Sequence, residues 1–238
     1  GAFHAAGVES VDVHMSDVLE GRVALADFQG LVACGGFSYG DVLGAGQGWA
    51  KTILFNARGR DAFQTFFADT AKFALGVCNG CQMLAALQEL VPGAQHWPMF
   101  RRNASEQFEA RWSMVEVLES RSVLLAGMAG SRMPIAVAHG EGRVECANAS
   151  DLDALQAGAQ IGMRYLDHHG AVAARYPANP NGSPRGVTAI CNADGRITAM
   201  MPHPERTIHG VTRSWWPSPH LQLPPWFRLF ENARRWVS

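Results

Sequence analysis

The sequence has no apolar run approaching the ~20 residues that a membrane-spanning helix needs, so no membrane anchor is expected. It has no block of like charge either: 20 basic and 21 acidic residues give a formal net charge of -1. Such a chain casts no long-range field to attract nucleic acid or an anionic membrane surface. Cysteine is scarce and scattered. Cys34, Cys78, Cys81, Cys146 and Cys191 are odd in number and lack framework spacing, so a reducing cytoplasm is the expected compartment. Residues 1–7 lack the basic and apolar segments of a signal peptide. Neither G-x-x-x-x-G-K-[ST] nor a convincing G-x-G-x-x-G is present, and there is no internal repeat or low-complexity tract. Metal is not expected. Cys78-Asn79-Gly80-Cys81 lacks a second pair for zinc, and adjacent His168 and His169 would diverge on a strand. The same C-x-x-C leaves a redox pair open.

What is present is enough apolar sequence, 47% of 238 residues, to build a substantial core. One stretch stands out. The apolar run 73–77 ends in Gly76-Val77-Cys78-Asn79-Gly80, and a helical pattern with Met83, Leu84, Leu87 and Leu90 follows at once. Glycines two residues either side of a cysteine are the build of a nucleophile elbow. They let strand and helix close tightly around the side chain. The helix N-terminus would favour thiolate over thiol. An ordinary strand-to-helix turn with a buried cysteine is the plainer reading.

The chain organises around that stretch. Residues 2–6 followed by Gly7 read as a helix with a glycine stop, and Val8, Val11 and Val13 as a strand. Residues 31–34 read as a short buried strand entering the glycine-rich loop 35–46, which fits close backbone approach to a ligand or plain turn chemistry. Helical stripes with Trp49, Ile53 and Leu54, then Phe63, Phe66 and Phe67, read as core. Alternating strands and helices predict an α/β fold: a flavodoxin-like, open, mostly parallel sheet covered on both faces. Ligands of such sheets bind beyond the carboxyl ends of the strands, where both the Gly35-Gly36 loop and Cys78 fall. After Pro92-Gly93 a smaller antiparallel region is expected, with strands over 108–117, 135–138, 163–166, 187–191 and 197–201. Arg101-Arg102-Asn103 reads as a solvated turn or a polar lip of the site. The loop 139–143 reads equally as substrate contact or turn. Residues 176–184 are rich in turn residues, and 215–225 form an aromatic, proline-rich loop before a closing helix over 226–237.

A cysteine nucleophile needs a base, and the base an orienter. His203-Pro204-Glu205 lies just past the last strand, on the rim expected to carry Cys78. His203 would take the thiol proton and Glu205 would fix its tautomer. The backbone N–H groups of Asn79 and Gly36 would hold an oxyanion.

Together these segments resemble the class I (triad) glutamine amidotransferases. The match rests on Gly76-Val77-Cys78-Asn79-Gly80-Cys81-Gln82 with His203-Pro204-Glu205. Residues 33–41, His139-Gly140-Glu141-Gly142 and residues 176–183 look, more narrowly, like the glutaminase domains of phosphoribosylformylglycinamidine synthases of the large single-chain bacterial form. The resemblance implies one glutaminase domain over residues 1–238, the C-terminal part of a longer chain. It implies Cys78, His203 and Glu205 as catalytic residues, with Gly35, Phe37, Gln82 and His139 around glutamine. It implies ammonia passed to a synthetase domain that uses ATP and Mg, with no cofactor in this domain. In that family an Arg-Glu-Gln-Gly-type strand precedes the first helix, so a first strand is expected to be missing here. Two other readings stay in play: a catalytically silent docking module, and another Cys-elbow hydrolase acting on peptides or small aldehydes.

Overall fold

The computed structural model describes residues 1–41, 44–210 and 224–238. Most of the expected aromatic loop over 215–225, and Val42 and Leu43 of the glycine-rich loop, lie outside the described residues. The chain opens with helix α1 (Ala2–Ala5), which stops at Gly7 with φ +81°, and α2 (Met15–Leu19). Strand β1 (Gly30–Ala33), helices α3 (Gln47–Leu54) and α4 (Ala57–Ala68), strand β2 (Phe73–Val77) and helix α5 (Asn79–Ala86) follow. Strands β3 (Met99–Arg101), β4 (Glu109–Val117), β5 (Arg132–His139) and β6 (Arg143–Glu145) come next. Helix α6 (Asp151–Ala157), strands β7 (Ile161–Tyr165), β8 (Val187–Cys191) and β9 (Ile197–Met200), and helix α7 (Phe227–Trp236) complete the order.

Seven strands form one mixed sheet in the order β1-β2-β9-β8-β7-β4-β5, and β3 pairs with β6 beside it. The α/β class holds. β1, β2 and β9 run parallel, and β8, β7, β4 and β5 continue the same sheet in antiparallel steps. Every residue of β2 is buried, as a strand covered on both faces requires. Alternation along β2 shows the two covers. Gly76 faces α5, where a Cβ would stand 2.6 Å from the Gly80 carbonyl oxygen. Phe73, on the opposite face, stacks at 6.2 Å on Phe3 of α1, whose ring meets Phe230 of α7 edge-on at 5.0 Å.

The sheet curls. β5 is the far edge, separated from β9 by three strands, yet Ala136 of β5 bridges to His203 just past β9. The His203 N–H donates to the Ala136 carbonyl at 2.8 Å. The antiparallel half therefore folds back over the carboxyl ends of the parallel strands.

One expected strand is absent, and one helix is unexpected. Residues 8–13 form no strand. A strand needs a neighbour to ladder with; among the described residues β1 pairs only with β2, and Val11 stands 59% exposed. Helix α6 is not foreseen by the sequence pattern. It buries Leu152 and Leu155 and carries Asp151 and Asp153 in its first turn.

Candidate active site

Cys78 follows β2 directly, and its N–H donates to the Met200 carbonyl of β9 at 2.9 Å. Its backbone sits at φ +53°, ψ -108°, a strained region for any residue but glycine. Close packing imposes this bend. A Cβ on Gly80 would lie 1.9 Å from the Ala33 carbonyl oxygen, so only glycine lets α5 start so near β1. The elbow expectation agrees with this geometry. The Cys78 Sγ donates toward the Ala138 carbonyl at 3.6 Å.

His203 follows β9 by three positions and is 1% exposed. Its Nδ1 stands 2.6 Å from Glu205 Oε1. A carboxylate only accepts, so Nδ1 carries the proton and Nε2 is left for another partner. Nε2 is buried and makes no hydrogen bond, and Cys78 lies beside the ring, close enough to act on its proton affinity. Burial pulls the His203 pKa down, but the neighbouring Cys78 and the Glu205 carboxylate outweigh it and raise it to about 9. Gly35 packs behind the pair. A Cβ there would stand 2.7 Å from His203 Cε1 and 3.2 Å from Cys78 Cβ.

Cys78 and His203 open into a cleft of about 310 Å³. Of the residues expected around substrate, Gly36, Phe37, Asn79, Gln82 and His139 line it. Gly35 lies behind the thiol–imidazole pair instead. Gly36 adopts φ +132°, and Phe37 is 81% exposed at the mouth. His139 is buried. Burial, then repulsion from His203, pushes its pKa down to about 3 against a contact with the Met201 backbone. Its Nε2 accepts from Asn181 Nδ2 at 3.3 Å, which assigns the neutral ring's proton to Nδ1.

Three charged lining residues, Asp41, Glu141 and Arg206, are not singled out by the sequence reading, although Asp41 and Glu141 lie in stretches it marks. Asp41 accepts from Asn79 Nδ2 at 3.1 Å, and Ser38 Oγ donates to Asn79 Oδ1 at 2.8 Å, so the glycine-rich loop is tied to the first residue of α5. Glu141 Oε2 accepts from the Ala45 N–H at 3.1 Å, and its carbonyl accepts from Gln82 Nε2. Arg206 sits 3.9 Å from Glu205 Oε1. The sequence signals are weak ones: a charge inside a glycine-punctuated loop, and a cation beside His203-Pro204-Glu205. Asn103 corrects another expectation. It is neither lip nor solvated turn but 2% exposed, with its side chain bonded to the loop after β5.

The five cysteines are free thiols. Cys81 is fully buried, and burial, with the Cys78 charge adding to it, pushes its pKa well above the usual thiol range. That environment disfavours a reactive thiolate at Cys81.

Fold and site together define an α/β protein of the cysteine-elbow type, with a cysteine and a carboxylate-bonded histidine side by side at the carboxyl rim of its parallel strands. Residues 1–237 match the CobB/CobQ-like glutamine amidotransferase domain, and the chain belongs to that family. Among solved structures it is similar to PurLQS from Thermotoga maritima, with 22% identity, TM-score 0.64, and 89% of this chain and 81% of that one covered. It is similar to the glutaminase domain of Trypanosoma brucei CTPS with bound acivicin, with 18% identity, TM-score 0.56 and coverage of 98% and 86%. A putative GMP synthase protein from Thermoplasma acidophilum matches at 14% identity and TM-score 0.53, with 99% and 84% covered.

Proposed function

We propose that this domain hydrolyses glutamine to glutamate and ammonia, and hands the ammonia to an ATP-dependent synthetase that converts formylglycinamide ribonucleotide to its amidine in purine synthesis. The family supports the glutamine chemistry. The likeness to PurLQS and the residue motifs of the phosphoribosylformylglycinamidine synthases support the narrower assignment. The observation that carries the reading is His203, bonded to the Glu205 carboxylate, lining the same cleft as Cys78.

In this reading the Cys78 proton passes to His203 and the sulfur attacks the side-chain amide carbon of glutamine. The N–H groups of Asn79 and Gly36 bind the oxyanion, and losing one such donor typically costs roughly 10²–10³ in rate. His203 returns the proton to the departing nitrogen, ammonia leaves, and a glutamyl thioester remains. Water then gives His203 a proton and its oxygen to the acyl carbon. The C–S bond breaks, glutamate departs, and the sulfur recovers its proton. Gln82, Phe37 and His139 shape the glutamine pocket, with Gly35 backing the reacting pair.

ATP and Mg belong to the synthetase in this account. Among the described residues no three His, Cys, Asp or Glu side chains gather as a metal site. No helix among those residues is long and apolar enough to cross a membrane, and we assign the domain to the cytoplasm beside its synthetase. The test uses the assembled enzyme, this domain with its synthetase. Cys78→Ala should abolish synthesis from glutamine and spare synthesis from ammonium salts. Equal loss with both nitrogen donors would overturn the assignment.

A further inference from the structure

The loop over 176–184 and Asn103 are left without a part in the chemistry above, yet both are built into the cleft wall. Asn103 is 2% exposed and Asn181 is fully buried. Asn103 Nδ2 donates to the His139 carbonyl at 2.8 Å, and its Oδ1 accepts from the Gly142 N–H at 2.9 Å. Its own N–H donates to the Gly140 carbonyl at 2.9 Å. Asn181 Nδ2 donates to His139 Nε2 at 3.3 Å and to the Gly142 carbonyl at 2.8 Å. Ser183 holds that amide in place, its Oγ donating to Asn181 Oδ1 at 2.7 Å. The Ala104 N–H donates to the Asn181 carbonyl at 3.0 Å, which joins the two clamps.

The clamped segment is residues 138–142, and it touches both walls of the cleft. At one end the Ala138 carbonyl faces the Cys78 sulfur at 3.6 Å. At the other, Glu141 holds the Ala45 N–H and Gln82. Gly142 lets the clamp close, since a Cβ there would stand 2.4 Å from the His139 ring and 3.0 Å from Asn181 Nδ2. Neither asparagine lines the cleft, so neither can touch substrate there.

We propose that Asn103 and Asn181 are positioning residues for glutamine cleavage, fixing residues 138–142 so that Cys78 and the glycine-rich loop meet the substrate in register. This rests on the glutaminase reading. A shift of about 1 Å in such a wall can cost on the order of 10² in rate. The amides also bond both ends of the segment, which a merely space-filling side chain would not do.

The experiment measures the assembled enzyme with glutamine and, separately, with ammonium salts. Variants are Asn103→Asp and Asn181→Asp, which keep shape but replace a donor by an acceptor, and Ser183→Ala, which removes the hydroxyl that steers Asn181 and also accepts from the Val144 N–H at 3.0 Å. The expected result is a glutamine kcat lowered about tenfold or more in the Asp variants and less in Ser183→Ala. KM for glutamine and the ammonia-dependent rate should stay close to wild type, with rates compared below each variant's melting temperature, which a buried carboxylate lowers. If the Asp variants do not fold, Ser183→Ala decides alone. A folded variant with wild-type kcat, a rise in KM alone, or equal loss with both nitrogen donors would overturn the proposal. A Cys78→Ala control separates the two claims: glutamine-dependent synthesis surviving in that control would instead sink the glutaminase reading.

Discussion

Cys78 and His203 are held in opposite ways. Cys78 is fixed by backbone strain at φ +53° between two glycines, whereas His203 is fixed by its partners, the Ala136 carbonyl on its N–H and Glu205 on its ring. The ring's proton affinity follows from those partners. Its folded pKa, about 9, lies above the ordinary 6.5, so the stabilisation it contributes is complete below pH 6.5 and is lost as pH rises through about 9. Activity should share that upper limit. We expect kcat/KM for glutamine to fall with a midpoint near pH 9, and Glu205→Gln to move the midpoint to lower pH. A pH–rate profile checks this, and an unmoved midpoint would contradict Glu205 as the ring's support. These residues are legible in the sequence because each announces itself locally: glycines flank Cys78, and a proline and a carboxylate follow His203. Asn103 and Asn181 are not. An asparagine in a turn-rich stretch looks the same whether it caps its own turn or, as Asn103 does, bonds a loop 39 residues away.

At the scale of elements, β2 and β9 do most of the positioning. They are parallel neighbours, so the residues leaving their carboxyl ends, Cys78 and the segment leading to His203, emerge on one rim. That much follows from pattern alone. The absence of a strand over residues 8–13 does not, because alternation reports which faces a segment offers and not whether a neighbour exists to bond it. Helix α6 escapes the pattern for the reverse reason. Its seven residues are too few for a 3.6-residue period to stand out, although Leu152 and Leu155 are spaced for one face. One tight joint between elements is Gly80 of α5 against Ala33 of β1. Gly80→Ala should force helix and strand apart, costing about 1–3 kcal/mol or more of stability along with the elbow geometry. Denaturant unfolding would show it, and a variant of unchanged stability would contradict the packing described.

The whole molecule is a sheet that closes on its own site. The parallel end supplies the thiol, β9 leads to the imidazole, and the antiparallel end curls round until Ala136 bridges His203 and Ala138 faces Cys78. Strand-by-strand reading offers the loop 139–143 as a substrate contact or a turn but does not show β5 reaching Cys78 and His203, since curl is a property of the assembled sheet and leaves no mark on any one segment. The closure brings together residues 125 positions apart, Cys78 and His203, and the whole account depends on their acting as one unit. The most direct test is covalent labelling with an electrophilic glutamine analogue, read by peptide mass spectrometry. The account predicts one label on the Cys78 peptide, slowed by excess glutamine and nearly abolished in His203→Ala. A label on Cys81, or labelling of Cys78 indifferent to the loss of His203, would contradict it.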